Sequence, residues 1–333
     1  MTRICISSYY GLRESLYLAA EELKNLGHEI FNFSLLEEKT KPDYVIKYIN
    51  YIQTNKIDIV LWWHININIE DLHKIILDTK PETKHIFYNW DDPYSWSFPE
   101  TAKKVKYFDC AFTCCKNSLK NYLEYGVKEA YFVCAGFSRS VNHILEDGNI
   151  GNKYACDISI ACTNLYENKV TYPNQIINRK KLIDTLYANQ TKYGYTFHIY
   201  GPDKFKNMYP DSYKGYISYE ALNLLFNRSK INICTHVVGN QSCYLNERAC
   251  LIAGSGGLLL VDNVKDLDQI FDREFECVVL DQNKYLEQIL SILNNYDKYI
   301  ERRINIYEKS NCYSWKKWAE LIDDTFIKKL TKL

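Results

Sequence analysis

The sequence lacks the features that would assign it to a special class. It has no run of about 18 consecutive apolar residues, so no membrane-spanning helix is expected. The opening MTRICISSYYGLRE has no apolar core followed by small residues and does not read as a secretory signal. Charge of one sign is not in excess: Lys+Arg and Asp+Glu are 41 each, which argues against nucleic acid or an anionic membrane as partner. Low-complexity tracts are absent, and 47% hydrophobic with 25% charged residues is the balance of a folded chain. The 12 cysteines follow no disulfide framework and read as reduced thiols of a cytoplasmic protein. The Tyr, Asn, Lys and Ile content fits an AT-rich genome, and the compartment would be the host cytoplasm if the source is viral. Cys110, Cys114 and Cys115 cluster, but no second pair stands at zinc spacing, so no metal site is expected.

What is present is an alternation of two periods. At 333 residues, two domains are expected. Short apolar runs such as TRICISS, HEIFNFS, IDIVLWW, HIFYNW, DCAFT and AYFVC are separated by stretches with helical spacing, of which GLRESLYLAAEELKNLG is the clearest. Buried strands alternating with helices imply a parallel sheet covered on both faces. The alternation lapses between Gly136 and Tyr154 and then restarts with CDISIAC, YTFHIYG, SKINICT, GLLLV and CVVL. The fold class expected is therefore α/β, with two Rossmann-like, doubly wound parallel-sheet domains. Their expected bounds are 1–145 and 155–312, with a terminal amphipathic helix over 313–333.

Open parallel sheets bind ligands at the carboxyl ends of their strands. With two such domains, the cleft between them is the default site. In the first half these ends carry Tyr9, Tyr10 and Gly11, then His64, then Trp90, Asp91, Asp92 and Tyr94. Aromatic rings beside carboxylates and amides suit a sugar. The structural alternative is that Trp62, Trp63 and Trp90 are core and that Asp91 caps a turn. In the second half the ends carry Gly201 and Lys204, the turn Gly215, Tyr216 and Ile217, then Arg228 and His236. Asn240, Ser242, Tyr244, Asn246, Glu247 and Arg248 follow. Glycine allows close backbone approach to a ligand, and Lys or Arg neutralises a diphosphate. Lys206 and Arg179 read as solvated surface charges.

Four segments then occur in an order that resembles a known family: DISIACTNLYENK, FHIYGPDKF, YKGYISYEALNLLFNRSKINICTH and LNERACLIAGSGGLLLVD. Between Asp157 and Phe271 they are similar to the CgeB-like (spore maturation protein) branch of the group 1 glycosyltransferases. WDDPY in the first half resembles the same group more loosely. The resemblance implies a GT-B fold with a nucleotide-sugar donor on the C-terminal domain and an acceptor facing the N-terminal one. It implies a terminal helix that returns to the first domain. It lays the nucleotide along Gly201, Gly215–Ile217 and Asn240–Arg248, with Arg248 on the family's arginine. One departure is Leu251, which stands where the family often has a carboxylate; Glu247 lies one helical turn earlier on the same face.

The activity implied is metal-independent transfer of a sugar, with retention of configuration, from a nucleotide-diphosphate donor to a glycan, protein or small-molecule hydroxyl. No cofactor other than the donor substrate is expected. Lys204, Arg248 and Arg228 are the candidates to stabilise the leaving diphosphate. Asp92, Asp91 or His64 would supply the base that an inverting reaction needs. A sugar-nucleotide epimerase and a non-catalytic nucleotide-sugar or glycan-binding module are the rival readings, since fold does not fix function. Gly254, Gly256 and Gly257 look like a phosphate loop, but here the helix precedes the glycines and the strand follows them. That order predicts a helix C-cap, with the phosphate at the opposite end near Asn240–Tyr244 and Ser242 capping the helix.

Overall fold

The computed structural model describes residues 1–8, 14–63, 67–90, 103–146, 152–167 and 175–328. The chain divides into two units. The first comprises Met1–Ser138 and Trp315–Leu333, the second Arg139–Ser314.

In the first unit, β1 (Arg3–Ser8), β2 (Glu29–Ser34), β3 (Ile59–Trp63), β4 (Lys84–Asn89), β5 (Cys110–Thr113) and β6 (Glu129–Phe132) form one sheet, ordered β2-β1-β3-β4-β5-β6. Every pairing is parallel. The helices between them are α1 (Glu14–Asn25), α2 (Leu35–Glu38), α3 (Tyr44–Thr54), α4 (Ile69–Thr79) and α5 (Lys116–Glu124). Strand alternation splits adjacent residues between two cores. Trp62 joins Tyr48, Phe87 and Tyr122 on one face of the sheet. Trp63 joins Ile4, Ile6 and Tyr88 on the other. Both tryptophans are core, and Trp90 is half-buried with its ring edge-on to Trp63 at 5.2 Å.

The second of these cores is closed by a helix near the end of the chain, Trp315–Ile322. Trp315, Trp318, Ala319 and Ile322 recur at helical spacing and are all buried in it. Each indole ring buried this way contributes about 4 to 6 kcal/mol of transfer free energy. Gly136 permits the contact, because a Cβ there would lie 2.7 Å from the Trp315 ring.

The second unit contains β7 (Cys156–Ala161), β8 (Phe197–Tyr200), β9 (Ser229–Cys234), β10 (Leu259–Val261) and β11 (Val278–Val279), ordered β11-β10-β9-β7-β8 and all parallel. Its helices are α6 (Arg179–Tyr193), α7 (Lys204–Met208), α8 (Tyr219–Arg228), α9 (Glu247–Gly254), α10 (Tyr285–Asn294) and α11 (Ile300–Ser310). The unit starts earlier than the lapse in periodicity suggests. Arg139 donates to Gly254 O and Tyr307 O at 2.6 Å and to Asn311 Oδ1 at 2.8 Å. The backbone N–H groups of His143 and Leu145 donate to the side chains of Asn223 and Asn227. The polar stretch lacks periodicity because it is an irregular segment bonded to this unit. None of the 12 cysteines is in a disulfide.

The glycines after α9 form a helix C-cap. Gly256 is left-handed (φ +69°), its N–H reaches Ala253 O, and Gly257 N–H reaches Ile252 O, both at 3.0 Å. This pair of bonds is the Schellman motif.

Candidate functional site

The strand order of the second unit reverses between β7 and β9. Chain order runs outward from β7 to β8 on one side, and from β9 through β10 to β11 on the other. Such a reversal opens a crevice at the strands' carboxyl ends. Around it stand Cys162 after β7 and Cys234 at the end of β9, both buried.

Helix N-termini gather at this edge because each helix begins after a strand has run toward it. Asn178 and Asn246 cap α6 and α9 by accepting the Lys181 and Ala249 N–H groups at 2.9 and 3.3 Å. Asn246 also donates to Thr235 O at 3.2 Å and accepts from Cys234 Sγ, which ties the start of α9 to the end of β9. The cap is therefore Asn246 and not Ser242, whose hydroxyl donates to Asp266 Oδ2 at 2.6 Å. Helix α9 starts four residues later than the sequence pattern implies, because residues 243–246 make the connection from β9.

Three cations converge here, at the first residues of α6 and α7 and in the first turn of α9: Arg179, Lys204 and Arg248. Burial raises the Cys162 thiol pKa, and Arg179, Arg248 and Lys204 each pull it down. The Cys234 thiol is raised to about 11 by burial, lowered by Arg248 and Arg179, and raised by Asp262. A positive field combined with helix N-termini is a setting for an anionic ligand.

Arg179 is not the solvated charge its sequence context suggests. It is buried, donates to Thr235 Oγ1, Asn164 O and Thr235 O at 2.5–2.8 Å, and stacks over Tyr166. Arg248 is half-buried, and its buried Nη1 has no hydrogen-bond partner among the described residues.

His236 follows Thr235 and is fully enclosed. Its backbone N–H and its Nδ1 meet the two carboxylate oxygens of Asp262, at 2.8 and 2.6 Å. Tyr244, also buried, lies edge-on to the imidazole with centroids 5.8 Å apart. Glu247 is the first residue of α9 and is half-buried; Leu251, one turn on, is core. Asn240 is exposed.

At the end of β8, Gly201 N–H donates to Gly215 O at 3.1 Å, joining the two glycine turns. A Cβ on Gly201 would sit 2.3 Å from Cys162 O, so only glycine fits. Gly215 has φ +93°, Lys204 and Tyr216 are exposed, and Ile217 is half-buried. Arg228 is the one candidate of this half that the fold sets apart. It ends α8, immediately before β9 begins, so the length of a six-residue strand, roughly 20 Å, separates its backbone from the crevice.

Among the first-half candidates, Tyr9, Tyr10, Gly11, His64, Asp91, Asp92 and Tyr94 lie outside the described residues. Sequence reasoning missed Arg179 and Asp262. The signal for the first was Asn178, a helix cap that fixes Arg179 at the sheet edge. For the second it was the aspartate closing LLLVD. Among the described residues, no helix is long and apolar enough to cross a membrane, and no three His, Cys, Asp or Glu side chains group as a metal site.

Residues 179–312 match a family described as glycosyl transferase-like. No curated protein matches the chain. Sucrose-phosphate synthase from Thermosynechococcus elongatus superposes over 100% of both chains with a TM-score of 0.71 at 12% identity. HepE of Anabaena, in complex with UDP-glucose, superposes over 100% of both chains at 0.67 and 9% identity. A glycosyltransferase from Rickettsia africae ESF-5 gives 0.64 at 12% identity, over 97% of this chain and 98% of its own. The family match and the shared architecture together support a glycosyltransferase. The chain has the GT-B fold, and its C-terminal unit carries a glycosyl transferase-like domain.

Proposed function

We propose that the chain transfers a sugar from a nucleotide-diphosphate donor, held at the β7/β9 crevice, to a hydroxyl of a glycan, protein or small-molecule acceptor. The observation that carries this reading is Arg248. It sits in the first turn of a helix aimed at the crevice, and it has a buried guanidinium nitrogen without a partner. Departure of a diphosphate builds negative charge, which a preorganised cation and helix N–H groups stabilise. Lys204, exposed at the start of α7, adds a second charge, and Glu247 is placed to hold a donor hydroxyl in place of the family carboxylate at Leu251. HepE of Anabaena, a structural relative, is known in complex with UDP-glucose. With cations supplying the neutralisation, the reaction would run without a metal; the family resemblance favours retention, for which no protein base beside the acceptor is needed. A cytoplasmic location is part of this reading, in keeping with cysteines that follow no disulfide framework.

Thermal unfolding with UDP, GDP, ADP and TDP tests the donor site. At a ligand concentration of 100 Kd, stabilisation of about 2.7 kcal/mol is expected from at least one of them. No response to any refutes the reading. Arg248→Ala should lower kcat by about 100-fold or more with the fold intact; wild-type turnover would remove Arg248 from the phosphate role. Activity should persist in EDTA, and its loss would count against the metal-free reaction.

A further inference from the structure

Building on the donor-site reading, we propose that Asp262 is a positioning residue that holds His236 in one tautomer, so that Nε2 accepts a hydrogen bond from a hydroxyl of the bound donor.

The geometry fixes the proton. Both Asp262 oxygens accept from His236, one from the backbone N–H and one from Nδ1. A carboxylate has no proton to give, so Nδ1 carries the N–H and Nε2 is left with its lone pair. The groups facing this loop are Asp262 at the end of β10, Arg248 on α9, Arg179 on α6, Cys234 on β9 and the Tyr244 ring. In the neutral imidazole a proton on Nδ1 makes Nε2 the acceptor. That nitrogen is buried and has no partner among the described residues. Buried polar atoms are satisfied as a rule, and an exception beside a ligand crevice marks a contact that the ligand completes. Arg248 Nη1, also buried without a partner, is a donor and suits phosphate oxygens. The acceptor Nε2 suits a hydroxyl, from the ribose or from the transferred sugar.

Asp262→Asn makes the idea testable, because the backbone N–H dictates which way the amide turns. The amide oxygen must face the His236 N–H, so the NH2 faces Nδ1. Nδ1 then gives up its proton, and Nε2 becomes a donor.

The experiment begins with the wild-type protein and whichever of UDP, GDP, ADP or TDP binds, followed by the matching nucleotide-glucose. Nitrogen-15 NMR of His236 should show Nδ1 protonated and Nε2 bare, with the Nε2 resonance moving on ligand addition. A shift with the nucleoside diphosphate identifies the ribose as hydroxyl source; a shift only with the nucleotide-glucose identifies the sugar. An unmoved Nε2 resonance despite binding overturns the proposal and leaves the donor site standing, whereas no binding at all overturns both.

In the variants, His236→Ala and Asp262→Asn should each weaken that ligand about tenfold, and the double variant should be no weaker than His236→Ala. Additive losses would show that Asp262 does not act through His236.

Discussion

Replacing Arg179 by methionine tests whether a buried guanidinium holds the crevice in shape. The substitution keeps most of the volume and removes three donors, two to Thr235 and one to Asn164 O. Hydrogen bonds from a charged donor are worth about 1.5–3 kcal/mol each, so three set a ceiling near ~9 kcal/mol. The loss is smaller than that ceiling because Thr235 O keeps its bond from Asn246 Nδ2 and Asn164 O is only part-buried. About 3 kcal/mol is expected once the relieved burial of the charge is set against the broken bonds. Native-state hydrogen exchange at the amides of β7 and β9 reads this locally, and roughly 100-fold faster exchange corresponds to that loss. Arg179→Lys keeps the charge but not the planar fork, and should recover about half of the protection. Because Thr235 precedes His236, nucleoside diphosphate binding should weaken in the same order. A loss below about 1 kcal/mol in Arg179→Met, or full protection in Arg179→Lys, would refute the bonding argument.

The first unit carries a buried pH-sensitive group. His85 Nδ1 accepts from Trp62 Nε1–H at 3.1 Å, so Nε2 carries the proton and donates to Thr79 Oγ1 at 2.9 Å, which in turn donates to Ile75 O. Burial, then Lys80 and Lys84, push its pKa down from 6.5 to about 3. The native ring stays neutral while the unfolded one takes a proton below pH 6.5, so stability falls on acidification from 6.5 toward 3, by up to about 1.4 kcal/mol per pH unit. Urea unfolding of wild type and His85→Gln at pH 7 and pH 5 should differ in slope by about 2 kcal/mol over that interval; equal slopes would show that the ring protonates in place. In the second unit, Gly201→Ala drives a Cβ into Cys162 O, a backbone atom that cannot step aside. Overpacking of this kind costs about 1–3 kcal/mol, and an unchanged melting temperature would mean that the Gly201 turn and the Cys162 backbone move apart freely.

Most of the strand and helix order was legible because burial on both sheet faces forces apolar runs, and those runs are local in sequence. The helix cap at Gly256 was legible for the same reason, since helix, glycine and strand follow one another directly. Boundaries that depend on distant bonds were not. Residues 139–145 look like a linker because they lack periodicity, yet their partners lie 80 to 172 positions away in the chain. Ser242 and Asn246 are both acceptable caps by residue type. Which of them caps α9 was decided by the loop from β9, which brings Asn246 to Thr235 O.

The site divides in the same way. Sequence by itself determined that glycines, Lys204 and Arg248 fall after strands, where a parallel sheet presents a ligand, since order along the chain is enough for that. It could not tell a surface arginine from a buried one, nor pair a histidine with an aspartate 26 residues on. Arg179 and Arg228 have similar local surroundings, a polar helix end next to apolar residues. Only the winding of the sheet put one at the carboxyl edge and the other at the opposite edge. A side chain's solvent and partners come from elements far away in sequence, and those are what tertiary structure supplies.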